Sequence, residues 1–191
     1  RHWTGKRNAM TGLIVIDGKP WRFAGKVEPD AEHYYTEPHP MTQTRLQVTP
    51  LSTVYEFEEA GVRLQVRFTT PLLLDDLDLL SRPASYVAFT VGSTDGKPHH
   101  VQLYFDVTAE WCVNTSDQKV VWRQDEAGGR HILQFSHHEQ KVLHRSGDDM
   151  RIDWGTFYLA VNQSPDVRTY IGPAEIRKRF AKNGEIADAS D

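Results

Sequence analysis

Two eight-residue stretches of this chain alternate so regularly between apolar and polar side chains that each admits only a half-buried strand. In the first, Val62, Leu64, Val66 and Phe68 alternate with Arg63, Gln65, Arg67 and Thr69. In the second, Val101, Leu103, Phe105 and Val107 alternate with His100, Gln102, Tyr104 and Asp106. A period of two puts each set on one face of a sheet, one face dry and the other wet. Ser85–Val91 shows the same habit, and the turn-rich Ser93–Pro98 separates it from His100–Val107. The pair is expected to form an antiparallel hairpin. The surrounding stretch, Asp75 to Trp111, contains no complete set of catalytic groups.

Other strands follow from the same reasoning. Gly12–Ile16 is an apolar run, Asp17-Gly18 a turn signal, and Lys19–Phe23 its return, a second hairpin because that turn needs positive φ. Gly25–Pro40, with Glu28, Asp30, Glu32 and Tyr34-Tyr35, reads as a long loop. Thr42–Val48, Ser52–Glu58, Val120–Arg123, His131–His137, Lys141–His144 and Gly155–Val161 read as strands, with Arg168–Ile171 pairing on the last. Leu72–Leu80 reads as a loop or a short helical turn. Pro173 ahead of Ala174–Asn183, and Gly184 after it, mark one helix. Its Arg177-Lys178-Arg179 cluster is expected to be a solvated face. Ile186–Asp191 reads as a tail or linker. The fold class expected is all-β, an antiparallel β-sandwich with one C-terminal helix; a closed barrel is the competitor, disfavoured by the uneven strand lengths and connections. Residues 1–171 would form the sandwich domain. Residues 172–191 would be a helix and linker leading toward a further domain.

A chain of 191 residues with 39% hydrophobic and 25% charged residues is long enough for its own core. No face collects Lys and Arg, which excludes a nucleic-acid footprint, and no apolar run approaches the ~20 residues of a membrane-spanning helix. The chain opens on Arg1-His2-Trp3 without an initiator Met, and a fragment or processed product is expected. Its one cysteine, Cys112, cannot pair internally and reads as a buried thiol.

Chemistry-bearing motifs are sparse. Asp75-Asp76-Leu77-Asp78 and Asp148-Asp149 with Asp153 offer oxygens for calcium but lack the regular loop, and acidic turns explain them. The doublets His99-His100 and His137-His138 point to opposite sides of a strand and cannot share one metal. No metal or other cofactor is expected, and no catalytic residue is assigned. Asn114-Thr115-Ser116 and Asn162-Gln163-Ser164 match the short glycosylation sequon. Trp111 beside Asn114, and Trp154 beside Asp153, group an indole with a polar partner at a strand end. These four residues, Trp111, Asn114, Asp153 and Trp154, are the candidates for lining a substrate cleft, with core packing of the two indoles as the alternative.

The segments His2-Trp3-Thr4-Gly5, GLIVIDGKPWRFAG (Gly12–Gly25), VTPLSTVYEFEEAGVRLQVRFTTP (Val48–Pro71), Asp75–Asn114 and GDDMRIDWGTFYLAV (Gly147–Val161) resemble, in order, the N-terminal domain of glutaminase A-type proteins, most specifically in DDLDLLSRP (Asp75–Pro83), AEWCVN (Ala109–Asn114) and GDDMRIDWG (Gly147–Gly155). That resemblance implies a secreted or periplasmic hydrolase converting L-glutamine to L-glutamate and ammonia. This portion would be a β-rich accessory domain with a further β segment ahead of it. Its partner would be a larger helical domain of the same polypeptide, similar to the α/α toroid of glycoside hydrolases and holding the catalytic carboxylates. The small-molecule substrate would be met through the full-length protein. A second class stays open, a carbohydrate-binding module of a glycoside hydrolase-like enzyme, which predicts an exposed coplanar aromatic platform. A pure scaffold with an apolar docking patch is a third.

Overall fold

The computed structural model describes residues 3–27 and 36–186. Half of the long loop read at Gly25–Pro40, and nearly all of the acidic tail, lie outside those residues. The strands are β1 (Met10–Ile16), β2 (Lys19–Ala24), β3 (His39–Pro40), β4 (Thr42–Val48), β5 (Ser52–Glu59), β6 (Val62–Thr69), β7 (Tyr86–Ser93), β8 (Val101–Val107), β9 (Val120–Ala127), β10 (Arg130–His137) and β11 (Thr156–Asn162). A four-residue helix, α1 (Leu77–Leu80), precedes β7, a 3-10 turn spans Ala109–Cys112, and α2 (Ile176–Asn183) lies near the C-terminus. The sheets have orders β3-β2-β1-β8, β4-β5-β6-β7 and β11-β10-β9. The chain is all-β with antiparallel sheets, as expected, apart from a two-residue parallel pairing of β2 with β3.

By its contacts the chain divides into two compact units. One comprises Ile14–Phe23 and Pro38–Leu103. It is a two-layer sandwich. From β5, β6 and β7 come Tyr55, Phe57, Val62, Leu64, Val66, Phe68, Val87 and Phe89; Ile14, Ile16, Trp21, Phe23, Met41 and Val101 come from the other layer. The alternation of β6 holds to the residue, with Val62, Leu64 and Val66 buried and Arg63 and Arg67 exposed. Phe23 closes the layers by meeting Phe57 at 6.2 Å and Phe89 at 6.0 Å between ring centroids. Each such buried side chain stabilises the unit by roughly 1.5–3 kcal/mol. The β1–β2 turn takes the conformation its residues demand, with φ of 49° at Asp17 and 81° at Gly18.

The other unit comprises Arg1–Leu13, Ala24–Glu37 and Tyr104–Asp191. Its centre is the sheet β11-β10-β9, in which β10 pairs antiparallel on both sides. Here α2 packs Phe180 against Tyr104 at 5.0 Å.

Four expectations are corrected. The strands Ser85–Val91 and His100–Val107 do not form a hairpin: β7 pairs with β6, and β8 belongs to the sheet of β1. Alternation reports which face is buried and says nothing of which strand lies alongside. The segment between them contains Pro98, which cannot donate a ladder bond, and crosses from one sheet to the other. Lys141–His144 is a turn, not a strand; Leu143 stands at φ 52° and the His144 ring bonds Lys141 O. Arg168–Ile171 does not pair with β11; Thr169 accepts from Gln124 of β9 instead, at 3.0 Å. The basic cluster on α2 is not uniformly solvated, because Arg177 is buried.

Candidate functional site

The polar groups singled out in the sequence converge within the unit that contains β9–β11. Their hub is Arg151, 8% exposed, in the loop before β11. Its guanidinium makes four hydrogen bonds: Nε and Nη2 donate to Asn114 O at 3.2 and 2.9 Å, and Nη1 donates to Arg7 O at 2.7 Å and to Asn8 Oδ1. Every acceptor is an amide oxygen. A buried cation without a carboxylate is tolerated here because several carbonyl dipoles point at it, replacing the water it lost.

Asn114 returns the contact. Its Oδ1 accepts from Arg151 N at 2.9 Å and from Lys6 Nζ at 3.1 Å, while the same ammonium donates to Asp149 O at 3.0 Å. The backbone N–H groups of Asn114 and Thr115 both donate to Gln118 Oε1, at 2.6 and 3.0 Å. Gln118 then donates through Nε2 to Asp153 Oδ2 at 2.9 Å. Asp153, 2% exposed, also lies 3.2 Å from Arg145 Nε. His137 completes the cluster from the end of β10, with Nδ1 2.7 Å from Glu139 O and Nε2 3.4 Å from Gln118. Nδ1 therefore carries the proton.

The neighbouring 3-10 turn is tied to the same N-terminal segment. Glu110 accepts from Arg7 Nε at 2.7 Å, from Ala9 N at 3.3 Å and from Thr108 Oγ1 at 2.9 Å. Trp111 Nε1 donates to Ala9 O at 3.1 Å. Residues 6–9 are thus gripped from the Ala109–Cys112 turn and from the Asp149–Arg151 loop. Cys112 is closed off behind this turn, and burial pushes its thiol up to about 11, far from a reactive thiolate.

Of the four cleft candidates, Asn114 and Asp153 are brought together through Gln118, and both are enclosed. In the folded domain the Asn114 sequon does not present its amide as an acceptor for glycan. Trp111, 40% exposed, meets Phe157 at 5.8 Å, and Trp154 is half-buried. The aromatic contact continues across the sheet, with Phe157 stacked on Phe135 at 5.3 Å and Trp122, 61% exposed, opposite Phe135 in register. Lys6, Arg151 and Gln118 escaped the sequence reading. Only Arg151 left a trace there, as a cation inside the otherwise acidic GDDMRIDWG. Asp76, one of the acidic run, caps α1 by accepting from Leu79 N at 2.9 Å. Among the described residues no group of three or more His, Cys, Asp or Glu side chains is placed to hold a metal ion, and no helix is long and apolar enough to cross a membrane.

What this arrangement does chemically is hold loops in fixed positions, with the buried Asp153 carboxylate bonded to Gln118 and paired with Arg145 through Oδ2. A family model described as a domain of unknown function, DUF5127, matches residues 51–191. The chain is also similar to glutaminase A of Aspergillus oryzae, 28% identical over 194 aligned residues that cover 99% of the chain and 26% of that protein. The chain therefore spans about a quarter of the length of the curated relative it matches. The resemblance carried by the Asp75–Pro83, Ala109–Asn114 and Gly147–Gly155 segments is borne out by that match.

Proposed function

This chain belongs to the DUF5127 family, and on that premise we propose that it is a non-catalytic accessory domain of a longer glutaminase-type amidohydrolase. The full-length protein would hydrolyse the side-chain amide of L-glutamine to give L-glutamate and ammonia. The observation that carries the reading is the match of nearly the whole chain to about a quarter of a glutaminase A. The engagement of Asn114, Asp153, Gln118 and Arg151 with one another supports a positioning role, since buried, mutually bonded groups hold loops in place rather than meet substrate. In this reading the domain packs against a helical catalytic domain of the same polypeptide, and the protein acts in a secreted or periplasmic setting. Trp111 and Trp154 are then the candidates for the cleft margin, with Asn114 and Asp153 fixing the loops nearby.

The row Trp111, Phe157, Phe135 and Trp122 favours a second reading, a carbohydrate-binding surface of a glycoside hydrolase-like protein. Phe135 and Phe157 are nearly parallel, at 10°, but Trp111 is tilted by 49° to Phe157, so the row is not the flat platform that sugar stacking favours. One experiment separates the two. The 191-residue chain and the longer protein that contains it are assayed on glutamine and on a glycan panel. Ammonia release by the longer protein alone supports the accessory role, and release by the 191-residue chain sinks it. Glycan binding or cleavage without glutamine turnover selects the second reading.

A further inference from the structure

We infer that Asp17, His99 and Asp95 form a proton-dependent clasp that fastens the β1–β2 turn to the connection between β7 and β8. The three side chains lie in one compact unit, away from the Arg151 cluster in sequence and in chemistry. His99 Nδ1 is 2.7 Å from Asp17 Oδ2 and His99 Nε2 is 3.0 Å from Asp95 Oδ1. An ionised carboxylate only accepts, so both ring nitrogens must donate, and only the imidazolium has two N–H groups. The neutral ring satisfies one aspartate and turns a lone pair toward the other.

The surroundings hold this geometry in place. The His99 side chain is only 11% exposed, which limits the water available to replace a lost partner. Asp17 Oδ1 accepts from His100 N at 2.8 Å, and Asp17 N donates to His100 O at 2.9 Å. Asp95 Oδ1 accepts from Lys97 N at 3.0 Å and from Ser93 Oγ at 3.1 Å. From the β5–β6 turn comes Gly61, at φ 77°, where a Cβ would stand 2.8 Å from Asp95 Oδ2 and 2.9 Å from His99 Nε2. The charged and titratable groups around the ring are therefore Asp17 on the β1–β2 turn, Asp95, Lys97 and His100 on the β7–β8 connection, and none from Gly61. Lys97 Nζ stays 3.9 Å from Asp95 Oδ2 and leaves the ring as the principal cation between the carboxylates.

The direction of the pH response follows from these contacts. The bonds to Asp17 and then Asp95 raise His99 above its ordinary 6.5. Its contribution is complete below 6.5 and is lost as pH rises through the raised value. The bond from Lys97 N, then that from His99, lowers Asp95 to about 2, and the His99 bond lowers Asp17 below 3.8. Their contributions are present above 3.8 and are lost as pH falls through the lowered values. The clasp is closed in the window between and opens on the alkaline side when the ring gives up its second proton.

The test is a heteronuclear NMR titration of His99 in the 191-residue chain, from about pH 5 to about pH 9, with amide exchange followed at Gly18 and Lys97. The expected result is both ring nitrogens protonated at neutral pH and a midpoint above the ordinary histidine value. Once the intrinsic pH dependence is removed, exchange at Lys97 should accelerate several-fold across that midpoint. Asp17→Asn and Asp95→Asn should each lower the midpoint, and His99→Gln should abolish the pH-linked acceleration. A neutral His99 ring at pH 6, or exchange at Lys97 indifferent to the titration of His99, overturns the clasp. The wild-type measurement decides this even if a variant fails to fold.

Discussion

Arg177 and Asp106 meet fork to fork, with Nε and Nη2 each donating to a different carboxylate oxygen at 2.7 Å. Tyr104 adds its hydroxyl to Asp106 Oδ2 at 2.6 Å. Burial, then the neighbouring Asp106 charge, push that phenol well above its ordinary range, so it remains a donor at any working pH. Together the three fasten α2 to the end of β8, with Phe180 packed on the Tyr104 ring. Removing one partner strands a charge, so Asp106→Ala should cost about 3 kcal/mol. Replacing both partners by apolar residues of similar size, as in the pair Asp106→Leu with Arg177→Met, should recover most of the loss. Urea denaturation of the single and double variants measures both.

Asn114 Oδ1 is shared by Lys6 Nζ and the Arg151 backbone N–H. Asn114→Asp keeps that acceptor and gives two nearby cations a counter-charge, so its stability should stay within about 1 kcal/mol of the parent. Asn114→Leu leaves the Arg151 N–H unpaired and Lys6 with only Asp149 O, and should cost about 2–3 kcal/mol. Thermal or urea unfolding of the two variants side by side distinguishes a shared acceptor from a packing role.

Cys112 donates from Sγ to Ala109 O at 3.1 Å behind the 3-10 turn. With its thiol raised to about 11, almost no thiolate exists at pH 8. A thiol-specific reagent should label the native chain at least about a hundredfold more slowly than the urea-unfolded chain. Comparable rates in the two states would show that the turn does not enclose it.

Gly25 stands at φ 63°, and a Cβ there would fall 2.1 Å from Met10 O. The obstacle is backbone and cannot swing aside. Gly25→Ala should therefore destabilise the chain by about 4 kcal/mol or more, or prevent recovery of folded protein. Gly18→Ala also suffers from positive φ but meets nothing within 4 Å, so it should be the milder change. Circular dichroism melts of the pair test whether contact or conformation dominates at Gly25.

Much of the fold was legible because strand and turn signals are local. The faces of β6, the Asp17-Gly18 turn, the extents of β4 and β5 and the stop at Gly184 all follow from side chains a few residues apart. The site was legible in part. Asn114 and Asp153 stood out as polar residues beside aromatic ones, and the structure does link them. The link runs through Gln118, and Arg151 holds Asn114 from the other side; neither residue announces itself by spacing. A buried arginine and a solvated one look alike in sequence, and for that reason the run Arg177-Lys178-Arg179 reads as a uniformly wet face although Arg177 is buried.

The amino-acid sequence by itself determined which residues are extended, which side of each strand is dry and where the chain can turn, since those depend on periodicity and local sterics. Only the tertiary structure decided that β7 lies beside β6 while β8 joins the sheet of β1, and that Arg151 and Arg177 are buried with their partners. Ladder bonds are made between backbones that are nearly identical everywhere, so pairing is chosen by how distant apolar faces fit together. The burial of a charge is likewise decided by acceptors that come from more than 70 residues away, such as Asp106 for Arg177.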